Sequence, residues 1–304
     1  MDLKQMEYIL AIAKEENITH AAEKLYISRS ALNYSLLNLE KELKVPLFKR
    51  VQNRLIPTYA GELYLAQAKK ILAEYKDLSH NMAAMSDASQ RRLNIGVTVG
   101  GGQHILVDIF PDFHRKYPHI TVNLLEANSR ILEKALLDGE IDMAWSGRIP
   151  DNPLIDYRLT REPTALTLAM SKKHPLVAEY DLERKNGMLI DLRLFKDELF
   201  IIMNRDSFIR SVTDEYFKFA GFKPRVLMEC SLMSMASHFA AEGLALAFIP
   251  ESQTAVNDRI LRFHVKPLGH SISTTILFRK GTIFTDVEKE LMDRIIAHEF
   301  TNRS

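Results

Sequence analysis

The chain has 304 residues, room for two or three modest domains, and its 46% hydrophobic and 26% charged residues are those of an ordinary globular protein. A formal net charge of +1 gives no overall sign of a nucleic-acid partner, and no run approaches the roughly 20 apolar residues of a membrane span. The single cysteine, Cys230, excludes an intrachain disulfide and fits a reducing compartment. Met1-Asp2-Leu3-Lys4-Gln5 lacks the apolar core of a signal peptide, so a cytoplasmic location is the expectation.

In chain order, Leu3 to Glu16 predicts a first helix, with Leu3, Met6, Leu10 and Ala13 at spacings of three and four on one face. Asn17 ends it, and Thr19 is the candidate cap of a second helix. There Ala21, Ala22 and Leu25 are small or apolar enough for two helices to cross closely. Ser28 is the next cap, opening a helix to Leu43 whose stripe of Leu32, Leu36, Leu39 and Leu43 is expected to face inward. That leaves Ser30, Tyr34, Asn38 and Lys41 outside, with Arg29 and Asn33 on the flank near the N-terminal end. Residues 51–54 form a polar turn between short apolar runs, a hairpin carrying Lys49, Arg50 and Arg54. Helix, tight turn, helix with outward polar groups and basic hairpin together make a winged helix-turn-helix, which places one helix in the major groove of DNA. Asn can read adenine bidentately, and Arg can read guanine or hold phosphate. The candidate DNA-binding residues are Thr19, Ser28, Arg29, Ser30, Asn33, Tyr34, Arg50 and Arg54. Charge agrees once it is localised. Residues 1–92 carry 14 Lys+Arg against 11 Asp+Glu, the remainder 26 against 28, and Lys24 to Arg54 alone holds seven against two.

A long helix is expected next, over residues 59–88, without Pro or Gly after Gly61. Tyr64, Ala68, Ile71, Tyr75, Leu78, Met82 and Met85 alternate at spacings of four and three, a heptad seam. From Thr58 to Ala88 it would span roughly 45 Å at the usual rise, long for a small domain to cover. A core helix would show the same seam, but pairing with a second copy is the preferred reading, and two-fold symmetry then maps onto a palindromic site. The polar run Ser86 to Arg92 reads as a hinge.

After Arg92, strands and helices alternate. Strands are expected at 93–99, 120–126, 142–145, 165–170, 199–203, 225–229, 244–249, 262–265 and 272–278. Helices are expected at 103–117, 129–138, 208–220, 232–242 and 285–298. Repeated βα units imply a mostly parallel sheet covered on both faces, in two α/β lobes with binding at a cleft facing the strand ends. Thr98-Val99-Gly100-Gly101-Gly102 ends a strand and opens a helix. Exposed N–H groups there favour an anion, and glycine lets a ligand approach the backbone. Asn128 and Ser129 open the next helix in the same sense, and Ser207 and Phe208 do so in the second lobe. Thr98, Val99, Gly100, Asn128, Ser129, Ser207 and Phe208 are therefore candidate contacts for a small anionic or polar metabolite, although ordinary helix capping explains any one of them. Trp145 and Arg148 are further candidates for the same cleft.

The N-terminal 60 residues resemble the DNA-binding domain of LysR-type transcriptional regulators. Thr19, Ala21, Ala22, Leu25, Ser28, Ser30, Ala31, Leu39, Glu40, Leu43, Leu47, Phe48, Arg50, Thr58, Ala60 and Gly61 carry the resemblance. It departs at Arg29, where the family commonly has Gln, and at Asn33, where Ser or Thr is usual. Tyr34 and Leu37 fall where basic or polar groups are common, and Lys44 replaces a frequent Gly. Looser matches follow at Leu93 to Gly96, Phe110-Pro111, Tyr117-Pro118, Leu137 to Asp142, His174-Pro175-Leu176, Gly221 to Pro224, Glu242-Gly243-Leu244 and Ile249-Pro250. The resemblance implies a winged domain at 1–58, a dimer-making linker helix at 59–88 and a hinge at 89–92. It also implies an effector domain at 93–304, like a periplasmic binding protein. Lobe 1 would be about 93–162 and 267–304, and lobe 2 about 163–266. It implies a homodimer or homotetramer that binds promoter DNA and a small-molecule effector, with no cofactor and no metal.

The alternative is a solute-binding or enzymatic α/β protein with an appended DNA-binding module. Against enzymes, Cys230 and His238 would need a shared helix face within an apolar run. The Gly triplet is neither a dinucleotide fingerprint nor a phosphate-binding loop. The ten histidines show no paired metal-ligand spacing. A free-standing solute binder leaves the first 90 residues unexplained, and an architectural DNA-binding protein has no need of a cleft.

Overall fold

The computed structural model describes all residues except 53, 86–91, 99–102, 253–255, 257, 268 and 302–304. The chain divides into two compact units, the first containing Met1–Ser89 and the second most of the remaining residues. The expected hinge at 89–92 lies outside the described residues but for Arg92, as do Val99 and Gly100 to Gly102.

In the first unit, α1 (Leu3–Glu15) opens with a capping box. The Gln5 amide donates to the Asp2 carboxylate at 2.8 Å, while the Asp2 amide donates to the Gln5 side chain. α2 (Ile18–Lys24) is capped by Asn17, whose Oδ1 accepts from the amides of Thr19 and His20. Thr19 is thus inside the helix, and its expected capping role falls to the residue two earlier, where the backbone is extended. Ser28 caps α3 (Arg29–Leu43) as expected, its hydroxyl accepting from Ala31. β1 (Phe48–Val51) and β2 (Arg54–Pro57) form the wing, with Val51 and Arg54 paired at its tip. The hydrophobic core is Ile9, Ile12, Ile18, Ala21, Ala22, Leu32, Leu36, Leu39, Leu47 and Phe48. The expected α1 stripe needs correction. Ile9 and Ile12 face this core, whereas Met6, with Leu3 and Leu10, packs against Tyr64, Ala68 and Leu72 of α4 (Tyr59–Met85).

That packing also corrects the seam. Tyr64 and Ala68 are covered by α1 of the same chain, while Ile71, Tyr75, Leu78 and Met82 are exposed. The heptad pattern could not separate its first two members from the rest, because α1 approaches only that stretch of the helix.

The second unit holds two sheets. The first runs β4-β3-β5-β13-β6, from β3 (Arg92–Thr98), β4 (Thr121–Ala127), β5 (Met143–Ser146), β6 (Ile155–Leu159) and β13 (Thr275–Arg279). α5 (Gln103–Lys116), α6 (Ser129–Leu137) and α10 (Asp286–Thr301) belong to this lobe. The second runs β11-β7-β10-β8-β9, from β7 (Thr164–Ser171), β8 (Leu199–Met203), β9 (Arg225–Cys230), β10 (Leu246–Pro250) and β11 (Ile260–Phe263), with β12 (Ser271–Ile272) also on β7. Its helices are α7 (Pro175–Glu179), α8 (Phe208–Ala220) and α9 (Met233–Ala241). Both sheets are mixed instead of mostly parallel. β3 pairs in parallel with β4 and β5, and β8 with β9 and β10, but β13, β7 and β11 join antiparallel.

The four strands that carry the chain between the lobes, β6, β7, β12 and β13, all pair antiparallel. The chain crosses once between β6 and β7 and again between β12 and β13, and the crossings are tied together. Thr160 donates from its amide (2.9 Å) and its hydroxyl (3.1 Å) to the Thr274 carbonyl. The single strand expected at 272–278 is accordingly two, broken where buried Ser273 and Thr274 make the crossing. The connection at 186–195 is anchored, since Ile190, Leu192 and Phe195 enter the lobe 2 core.

Candidate functional site

On the first unit, α3 exposes Ser30, Tyr34, Leu37, Asn38 and Lys41 on the side away from Leu32, Leu36 and Leu39, with Arg29 and Asn33 exposed on the flank. Ser28 is spent on capping and on a 3.1 Å contact with Ser30 Oγ. Two devices fix the wing, the first to this helix and the second to the loop before it and to α4. Glu40 Oε1 accepts from the amides of Leu47 (2.7 Å) and Phe48 (3.2 Å). Thr58 donates its hydroxyl to the Pro46 carbonyl (2.7 Å) and accepts from Gly61 N–H (3.0 Å). The sequence reading had Glu40 and Thr58 only as resembling positions and missed what they do. Among the described residues Arg29, Lys41, Lys49 and Arg50 are exposed and have no ion-pair partner. Arg54 differs. Its Nε lies 2.7 Å from Glu16 Oε2, so its charge is already answered within the unit.

In the second unit a cavity of about 370 Å³ lies where the lobes meet. Of the seven candidates, Thr98, Asn128, Ser129, Ser207 and Phe208 line it, and Val99 and Gly100 lie outside the described residues. Trp145 lines it as well; Arg148 does not, being held by Glu133 at 2.8 Å and Asp151 at 3.4 Å. Asn128 does cap, accepting from the Ile131 amide at 3.0 Å, and Ser129 Oγ contacts Ser146 Oγ at 3.0 Å. Ser207 makes no side-chain capping bond at the start of α8, so hydroxyl and first-turn N–H groups there remain available to a ligand. The apolar lining is Met203, Phe208, Ile209, Met233, Pro250 and Ile272.

Sequence reasoning missed an ion pair in this cavity. Arg161, on the first crossing, lies 3.3 Å from Glu299 of α10 and donates from Nη2 to Ser252 Oγ at 2.7 Å. The Glu299 side chain is only 7% exposed, so the cavity's arginine comes already compensated. Among the described residues, Arg161 Nε and Trp145 Nε1 are buried donors with no hydrogen-bond partner. For Arg161 Nε the 3.3 Å approach to Glu299 is an electrostatic contact without hydrogen-bond geometry. Trp145 is 2% exposed, and leaving its N–H unsatisfied costs about 1–3 kcal/mol unless something accepts it. Among the described residues no cluster of three or more His, Cys, Asp or Glu is arranged to hold a metal, and no helix is long and apolar enough to cross a membrane. Cys230 is buried, which pushes its thiol pKa up, and it contacts the Leu232 carbonyl at 3.6 Å.

Comparison with known proteins agrees with this arrangement. Residues 3–62 match the bacterial regulatory helix-turn-helix protein family, lysR type, and residues 86–298 match the LysR substrate binding domain. An uncharacterised HTH-type transcriptional regulator of Bacillus subtilis, YybE, is 25% identical over 299 residues, 98% of this chain and 99% of the relative. A probable RuBisCO transcriptional regulator of Cyanophora paradoxa is 29% identical over 260 residues, 83% of this chain and 77% of the relative. Among solved structures, a full-length OxyR variant from Pseudomonas aeruginosa superposes with a TM-score of 0.66 at 20% identity, covering 98% of this chain and 94% of that one. Full-length CbnR in complex with its target DNA gives 0.56 at 22% identity, covering 98% and 100%. The two matched domains span nearly the whole chain: it belongs to the LysR family and is a DNA-binding transcriptional regulator with an effector-binding domain.

Proposed function

We propose that an effector bound in the cavity between the lobes sets how this regulator engages its operator. The observation that carries the reading is the convergence, on one cavity, of helix starts from both lobes with residues of both crossings: Ser129, Ser207, Arg161 and Thr274. A ligand there touches both lobes and the strands joining them. It therefore favours one lobe arrangement by whatever its affinities for the two arrangements differ. The donors at Ser207 and the start of α8 suit the oxygen atoms of a small polar or anionic metabolite, and Trp145 with the methionine and phenylalanine lining suits a short apolar body.

The rest of the reading comes from the first unit. Residues 1–58 form the winged domain, 59–88 the linker, whose described part is the helix Tyr59–Met85, and 93–304 the effector domain, with 89–92 between. Arg29, Ser30, Asn33 and Tyr34 face base edges, with Thr19 and Ser28 at the helix starts. Arg50 supplies phosphate contact from the wing, and Arg54 does so through the guanidinium nitrogens that Glu16 leaves free. Ile71, Tyr75, Leu78 and Met82 are the exposed members of the α4 seam, and pairing with a second copy buries them. The protein works without turnover and in the cytoplasm. A thermal-shift screen of small carboxylates and amino acids on the full chain tests the effector site, because binding to the folded state raises apparent stability. A compound that stabilises the wild type and loses its effect in Ser207→Ala and Trp145→Phe supports it. Stabilisation that survives both substitutions places the ligand elsewhere.

A further inference from the structure

At about 100° per residue, Leu37 sits on the side of α3 opposite the buried Leu32, Leu36 and Leu39. Ser30, Asn33, Tyr34 and Lys41 surround it, and all are exposed. Leu37 is 54% and Tyr34 69% exposed, one turn apart at i and i+3. Single exposed apolar residues are ordinary and need no explanation. This pair is different in its position. It occupies the middle of the face that the winged domain presents to DNA, flanked by Arg29 and Lys41, which have no ion-pair partner among the described residues, so a polyanion is the surface that complements it.

A base edge in the major groove offers hydrogen-bond donors and acceptors and only one apolar group, the C5-methyl of thymine. Leucine has no donor or acceptor and gains there only by covering that methyl. We infer that Leu37, with the ring of Tyr34 beside it, reads thymine methyl groups and makes the operator prefer A·T pairs under the middle of α3. The two residues are about 4.5 Å apart along the helix axis, close to the roughly 3.4 Å step between base pairs, so they address neighbouring pairs. Arg29 and Asn33, nearer the helix start, read the flanking positions through hydrogen bonds. This inference rests on the reading that α3 enters the major groove.

The test uses the full chain and its best duplex recovered by selection from random sequence. Each thymine is replaced in turn by uracil, which removes the methyl and leaves every hydrogen-bonding group in place. The expected loss is about fourfold per contacted methyl, the factor that goes with burying one such group, at one or two positions in each half-site. Leu37→Ala, an exposed change that leaves the core intact, is expected to erase the uracil effect at one of them, and Tyr34→Ala at the other. Uracil effects that are absent, or that persist unchanged in both variants, overturn the inference. If Arg29→Ala and Asn33→Ala still change base preference in that case, groove reading by α3 survives and only the methyl contact is lost. If those two variants leave preference and affinity untouched as well, α3 is not the reader and both ideas fall.

Discussion

Gly61 offers the sharpest stability prediction, because it lies where α4 leaves the wing. A Cβ added there would sit 2.0 Å from the Leu47 carbonyl oxygen, 3.0 Å from its carbon and 3.3 Å from Pro57 Cβ. The obstacle is backbone, and that oxygen is held in place by the Thr58 amide at 2.9 Å. In Gly61→Ala the helix start must therefore retreat from Leu47, the residue before β1, by more than an ångström, the gap between 2.0 Å and an ordinary contact of about 3.4 Å. Such overpacking costs about 1–3 kcal/mol, and weakening the Thr58 bond adds roughly 1 kcal/mol. Alanine gives back about 0.8–1.0 kcal/mol of helix propensity. The balance is a loss of about 2 kcal/mol. For a unit of this size that lowers its melting transition by roughly 10 °C. Differential scanning calorimetry of the full chain reads this, with Gly147→Ala as control because a Cβ there meets nothing within 4 Å. If Gly61→Ala melts with or above the wild type, the close approach that sets the wing against α4 is wrong.

Lys44→Gly should act in the opposite direction. Lys44 ends α3 with φ of 56°, in the left-handed region, and its side chain is exposed. Glycine removes about 1–2 kcal/mol of backbone strain, partly offset by its greater unfolded-state entropy, so urea denaturation should show a small gain; a loss would mean the lysine makes a contact the fold needs. Arg50→Ala should weaken DNA binding and flatten the dependence of log K on log salt by nearly one unit, whereas Arg54→Ala, already paired with Glu16, should flatten it less. Equal slopes for the two variants would remove that distinction. Cys230 should alkylate slowly in the folded protein, with its rate rising only at a pH above that of an ordinary free thiol, since burial disfavours the thiolate. Alkylation as fast as a small-molecule thiol at neutral pH would contradict its burial.

What could be read from sequence was what depends on neighbours along the chain. Ser28 and the leucines of α3 declare a cap and a buried stripe within 16 residues, and Asn128 caps α6 in the same way, while Ser207 marks the start of α8 without a capping bond. Failures came where two faces compete or where partners are distant. α1 is apolar on two sides, so periodicity found the Met6 and Leu10 face that meets α4 and passed over Ile9 and Ile12. Tyr64 and Ala68 share their spacing with Ile71 and Tyr75, and only the approach of α1 separates them. Arg161 and Glu299 are held together by two crossings and a C-terminal helix, and no local signal joins them. Trp145 was visible as a residue, but its unsatisfied N–H exists only once β5 is packed.

The central claim, that occupancy of the inter-lobe cavity changes how the regulator holds DNA, is tested most directly by one footprinting and bending measurement. The full chain is placed on its own upstream region with and without the compound that the thermal-shift screen identifies and whose binding Trp145→Phe abolishes. The account predicts a footprint or bend angle that shifts with the compound in the wild type and stays fixed in Trp145→Phe. Identical affinity, footprint and bend in the wild type with and without the bound compound would contradict it.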